Sequence, residues 1–108
     1  MDNGKKLSSD EALGHYREGL RQSGLYEHYD AIIAFKKAAD LDPEKLIYWL
    51  DLGAAFNYVA LFDEAINAFD RALLLEPGNK KALFGKDVAM RRLPGQTKFY
   101  INMGWKIE

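Results

Sequence analysis

The sequence predicts an all-α fold of about five helices, paired as helical hairpins and stacked side by side. Three observations carry this reading. A set of large and small residues recurs at an offset of 34, since Ala31, Phe35, Ala38 and Pro43 keep the spacing of Ala65, Phe69, Ala72 and Pro77. Apolar residues within each stretch fall at helical intervals of three and four. Turn compositions, Asp42-Pro43 and Glu76-Pro77-Gly78-Asn79, punctuate the chain where a helix cannot continue.

Residues 1–9 are polar and are expected to be disordered. Ser8 and Glu11 then form a helix-start pair in which each side chain can reach the other's backbone amide. Leu13, Tyr16 and Leu20 lie on one stripe of a first helix that ends near Ser23-Gly24, where Gly24 can take the left-handed conformation. A second helix opens around Tyr29-Asp30 and runs to Leu41. Ala31 and Ala38 let a neighbouring backbone come close, and Phe35 fills the gap between them. When Leu13 is matched to Trp49, the loop of residues 24–28 carries two extra residues and Arg17 stands where Gly53 stands in the next unit. The first unit (about 10–45) is therefore expected to be a repeat with an altered rim.

The second unit, 46–79, is the most regular. Its first helix covers about 46–58 and its second about 63–75, where Asp63 and Glu64 suit the positive helix start. At Gly53, where the two helices cross, any side chain would push them apart. A third unit begins with a helix over about 80–93. There Lys86-Asp87 replaces Leu52-Gly53, and burying both charges under a further helix would cost several kcal/mol unless they were well paired. This helix is expected to cap the stack. Beyond Pro94-Gly95, residues 94–108 alternate, with Phe99, Ile101, Met103, Trp105 and Ile107 as the apolar set. Strict alternation predicts an extended segment, although Phe99, Met103 and Ile107 also partly meet helical spacing, so a short helix or disorder stays open.

Composition narrows the function. The chain has 108 residues, one domain by size, and 29% of them are charged. It has no cysteine, which excludes disulfides, thiol chemistry and cysteine-ligated zinc. No apolar run approaches a membrane span, and the start has no secretory core, so a cytoplasmic location is the default expectation. Net charge is −1, but residues 40–79 hold eight acids and two bases while 80–108 hold seven bases and two acids. The basic end is most simply a solvated face on the last helix, but it could meet nucleic acid, an acidic peptide or the acidic middle of a second copy. Nucleic-acid binding would need the bases of 80–98 on one face and is the weaker reading. There is no phosphate loop, paired-histidine metal motif or nucleophile elbow, and His15 and His28 stand alone. No enzyme activity, cofactor or metal is expected, and a non-catalytic subunit of an enzyme complex is the weaker alternative.

The series Trp49, Leu52-Gly53, Phe56, Ala65, Phe69, Ala72, Pro77 closely resembles the tetratricopeptide (TPR) repeat. The resemblance implies a solenoid of two full repeats and a capping helix, acting as a protein-interaction module or scaffold whose first helices line a concave groove. Carried over by position, that groove is Gly14, Glu18 and Arg21 in the first unit. In the second it is Ile47, Leu50, Asp51, Ala54, Asn57 and Tyr58, and on the last helix Lys81, Phe84, Val88 and Arg91. In TPR domains that grip acidic chaperone tails, lysines, asparagines and an arginine surround a carboxylate. Here Gly14, Glu18, Asp51, Lys81 and Gly85 take those places, so only Lys81 agrees and that ligand is not expected. An apolar or basic-and-apolar segment suits Ile47, Leu50, Asp51, Phe84 and Val88 better. The apolar tail could itself dock in the groove or on a second copy, which would make the chain self-assembling.

Overall fold

A computed structural model describes residues 2–93, and these form five α-helices with no strand among the described residues. The helices are α1 (Asp2–Gly24), α2 (His28–Leu41), α3 (Leu46–Tyr58), α4 (Phe62–Leu75) and α5 (Lys80–Arg92). Helices α1 and α2 form one hairpin and α3 and α4 a second. The second packs on the first through α2 and α3, and α5 packs on α4 and α3. This is the TPR-type arrangement of helical hairpins that the sequence predicts. None of the helices is long and apolar enough to cross a membrane. The alternating segment that includes Phe99, Ile101, Met103, Trp105 and Ile107 lies outside the described residues.

The buried faces explain the alanine pattern. Ala31, Ala38 and Ala39 of α2, and Ala65, Ala68 and Ala72 of α4, are all buried, so each helix presents a smooth strip against its neighbours. Phe35 and Phe69 are the large residues set into those strips. Trp49 is anchored at one end, where its indole Nε1–H donates to the Pro43 carbonyl at 2.8 Å, and the Arg71 guanidinium lies 4.8 Å from the ring centre.

The two hairpins are in register to the residue. Gly24 and His28 bound the first bend, and Tyr58 and Phe62 bound the second, 34 positions on. Within the bends, Glu27 N–H donates to the Gln22 carbonyl and Leu61 N–H donates to the Phe56 carbonyl, both at 2.9 Å. The expected two-residue insertion is therefore absent. Gly19, not Arg17, is the counterpart of Gly53. A Cβ on Gly19 would lie 2.5 Å from the Phe35 ring, as one on Gly53 would lie 2.7 Å from the Phe69 ring. The misplacement came from matching one large apolar residue, Leu13, to Trp49, whereas His15 holds the equivalent position. Imidazole does not register in an apolar pattern.

The helix starts also differ from expectation. α1 runs from Asp2, so residues 2–9 are helical rather than disordered and Ser8 lies inside the helix instead of capping it. Ser9 Oγ–H donates to Asp42 Oδ2 at 3.4 Å, which ties this turn to the end of α2. Gly24 is not the left-handed residue of the first bend. Tyr26 takes that role with φ 63°, and Ala60 does so in the second bend with φ 65°. An L-residue other than glycine loses about 1–2 kcal/mol in that region. Ala60→Gly is therefore expected to raise stability by about 0.5 kcal/mol after its greater unfolded-state freedom is subtracted. Urea denaturation reads this as a higher midpoint, and a lower midpoint would show that the bend does not strain Ala60.

At the other end, α5 is capped by Asn79, whose side-chain oxygen accepts from the Ala82 amide at 2.8 Å. Lys86 pairs with Asp70 of α4 at 2.8 Å, and Asp87 pairs with Arg91 one turn on at 2.8 Å. Both charged residues keep solvent access, and no described helix covers them.

Candidate functional site

The inner helices α1, α3 and α5 supply one continuous surface. On it, Ile47, Leu50, Asp51, Ala54, Asn57, Lys81, Phe84 and Val88 line a cavity of about 270 Å³. These are eight of the ten residues expected for the second unit and the last helix. Tyr58 lines an adjoining cavity, and Arg91 lines neither but holds Asp87. Buried Phe69 and Gly85 also contribute to the first cavity. Phe84 is 71% exposed although it is a large apolar side chain, whereas Leu50 is buried beneath the surface. The centre of the cavity is thus apolar, with one carboxylate and one ammonium at its edges.

Two polar contacts fix its shape. The Tyr16 hydroxyl donates to Asp51 Oδ2 at 2.6 Å and joins α1 to α3. Asn57 Nδ2 donates to the Gly85 carbonyl at 3.1 Å and joins α3 to α5. Asn57 Oδ1 is buried without a partner among the described residues, a state that costs about 1–3 kcal/mol. Tyr16 also packs its ring 4.9 Å from that of buried Tyr48 and 5.7 Å from that of Phe35.

Burial raises the Tyr16 phenol well above its ordinary range, and the hydrogen bond to Asp51 and that carboxylate's charge raise it further. The sign of the consequence follows directly. Above pH of about 10 the unfolded chain gives up a proton that the folded chain keeps, so this contribution to stability is present below that pH and is lost as pH rises beyond it. Buried Tyr48, raised by desolvation and then by the charge of Asp42, adds in the same direction. Tyr16→Phe should make the alkaline fall in stability shallower by roughly half a kcal/mol per pH unit, allowing for solvent screening. Denaturation midpoints taken from pH 9 upward check this, and equal slopes in the two proteins would contradict it.

The first-unit positions carried over from the shifted register do not join this surface. Glu18 is held on α1 by Arg21 at 2.6 Å and by Gln22 at 2.6 Å, and these hydrogen bonds keep its carboxyl below the ordinary range. A side chain at Gly14 would meet open space. With the offset of 34 applied, Tyr16, Leu20 and Ser23 replace Gly14, Glu18 and Arg21. The signal that could have found them is Gly19, which precedes Gly53 by one repeat length.

A second cavity of about 340 Å³ adjoins the first, and the two share Asp51 and Ala54. Its walls are Leu20 and Ser23 of α1, Tyr26 and His28 of the first bend, and Tyr58 at the end of α3. His28 stacks on Tyr58 with ring centres 3.9 Å apart, and Tyr26 meets His28 edge-on at 6.0 Å. Neither Tyr26 nor His28 was legible as a site residue from the sequence. A larger cavity, about 540 Å³, shares no residue with either and lies among α2, α3 and α4, where Lys36, Trp49, Glu64 and Arg71 contribute to it. Among the described residues, no group of three or more histidines and carboxylates could hold a metal ion.

No family model matches the chain. It is similar to superkiller protein 3 of Saccharomyces cerevisiae, 28% identical over 72 residues, which is 67% of this chain and 5% of that protein. It is also similar to tetratricopeptide repeat protein 28 of Homo sapiens, 28% identical over 90 residues, or 83% of this chain and 4% of that protein. The chain thus spans about a twentieth of the length of these relatives.

Proposed function

We propose that this TPR-type repeat is a protein-interaction module that holds an apolar segment of a partner protein in the groove formed by α1, α3 and α5. The observation that carries this reading is the cavity itself. Side chains from two inner helices converge on one apolar cleft, and Phe84 stands exposed beside it instead of packing inward. Similarity to a protein named for tetratricopeptide repeats supports an interaction role of this general kind.

The edges of the cleft favour some ligands over others. Asp51 stands at one edge of the cleft, so an acidic tail would meet like charge there. In the corrected register the positions compared with acidic-tail binders are Tyr16, Leu20, Asp51, Lys81 and Gly85. Lys81 is still the one agreement. An apolar segment carrying basic residues would complement Ile47, Leu50, Phe84 and Val88 together with Asp51.

Substituting Phe84 tests the groove without disturbing the core. Phe84→Asp should weaken capture of the partner by about 30-fold, the effect of losing a 2 kcal/mol anchor, while stability changes by less than about 0.5 kcal/mol. Retained affinity would remove the groove from the account. The competing occupants are residues 94–108 of the same chain or of a second copy. If either fills the groove, deleting 94–108 will strengthen capture, and a second copy will also show as a lower mass by light scattering after the deletion.

A further inference from the structure

We infer that the aromatic-lined cavity beside the groove takes an arginine side chain of the segment that occupies it, an inference that rests on the groove reading. The cavity combines the two features an arginine uses. Tyr26 and Tyr58 are 77% and 67% exposed, an unusual state for two tyrosines on one rim, and their rings with that of His28 offer π surface to a planar guanidinium. Asp51 supplies the charge. Its Oδ2 accepts from Tyr16, and its Oδ1 has no partner among the described residues. Among the described residues no lysine or arginine lines the cavity, so none of them neutralises Asp51 from within it. Buried Phe35 with Leu20 and Ala55 provides apolar wall for the methylene stem.

The position fits a segment lying in the groove. Asp51 and Ala54 line both cavities, so a chain whose apolar side chain sits against Leu50 and Phe84 passes the mouth of the aromatic one. An arginine there meets ring faces and a carboxylate together. A neutral side chain meets the rings alone. A lysine, more compact and more strongly hydrated, gains less from the faces.

The test uses the full chain with labelled aromatic rings, followed by NMR at pH 8 during titration with N-acetyl-arginine N-methylamide and, separately, its neutral citrulline counterpart. Saturable shifts of the Tyr26, His28 and Tyr58 rings are expected with the arginine compound, with at least tenfold weaker binding of the citrulline compound. Asp51→Asn and Tyr58→Leu should each weaken the arginine response about tenfold. Tyr58 is exposed, so its variant keeps the fold even if Asp51→Asn does not. Equal responses to the two compounds, no response, or a Tyr58→Leu response like that of the wild type would overturn the inference. Because the titration needs no partner, its failure leaves Phe84-dependent capture standing, and failure of that capture leaves the titration standing.

Discussion

Phe69→Ala is expected to cost about 3–5 kcal/mol, the range for truncating a buried aromatic side chain that its surroundings cannot fully replace. The ring is 3% exposed and is clasped between two glycines, Gly53 of α3 and Gly85 of α5. It is therefore a side chain of α4 that both α3 and α5 approach closely. A domain of this size has about 5–14 kcal/mol in hand, so the loss removes a large fraction of the total. Among the described helices, α5 packs chiefly on α4 and α3 and should loosen first. Urea denaturation followed by circular dichroism measures the change, and amide exchange measured along the chain should show protection lost first in α5. A change below about 1 kcal/mol would mean that the glycines do not hold the ring.

The complementary experiment adds volume instead of removing it. Gly85→Val is expected to destabilise by about 3 kcal/mol, because its Cβ would meet the Phe69 ring far inside van der Waals contact and the same end of the ring already lies close against Gly53. Gly14 provides the control. It also lies in a helix, α1, but a Cβ there meets nothing within 4 Å. Gly14→Ala should stabilise by about 0.5–1 kcal/mol, since alanine is the better helix former and no contact opposes it. The signs are opposite because packing opposes an added side chain at Gly85 and leaves helix propensity unopposed at Gly14. If both substitutions shifted the urea midpoint in the same direction, the assignment of Gly85 to the α4–α5 contact would be wrong.

These residues also show how much of the molecule could be read in advance. The second hairpin was legible because Trp49, Gly53, Ala65, Phe69, Ala72 and Pro77 each mark a close contact or a turn by size. The first hairpin was legible in α2, where alanines and Phe35 repeat the pattern, and was misread in α1. There the repeat's large first-helix position is occupied by His15, and Leu13 drew the register two residues out of place. The packing requirement at Phe35 would have corrected it, since only a glycine fits against that ring and Gly19 is one repeat before Gly53. The early start of α1 was hidden for another reason: Gly4, Ser8 and Ser9 weaken helix propensity, and the Ser9–Asp42 contact depends on tertiary structure.

The candidate groove divides in the same way. Residues on α3 and α5 were placed by repeat position, and eight of them share one cavity. The aromatic cavity was not legible, because His28 and Tyr58 meet across the seam between hairpins, 30 positions apart in the chain. Sequence spacing describes a helix face well. It does not describe what a bend lays against the neighbouring repeat.

The most direct measurement is capture of the partner by three proteins side by side: wild type, Phe84→Asp and Leu74→Asp. Leu74 on α4 is 78% exposed and lines no part of the groove, so it controls for adding a charge to an exposed apolar site. The groove account predicts that wild type and Leu74→Asp hold the partner alike while Phe84→Asp loses it by about 30-fold. Equal capture by Phe84→Asp and wild type would contradict it.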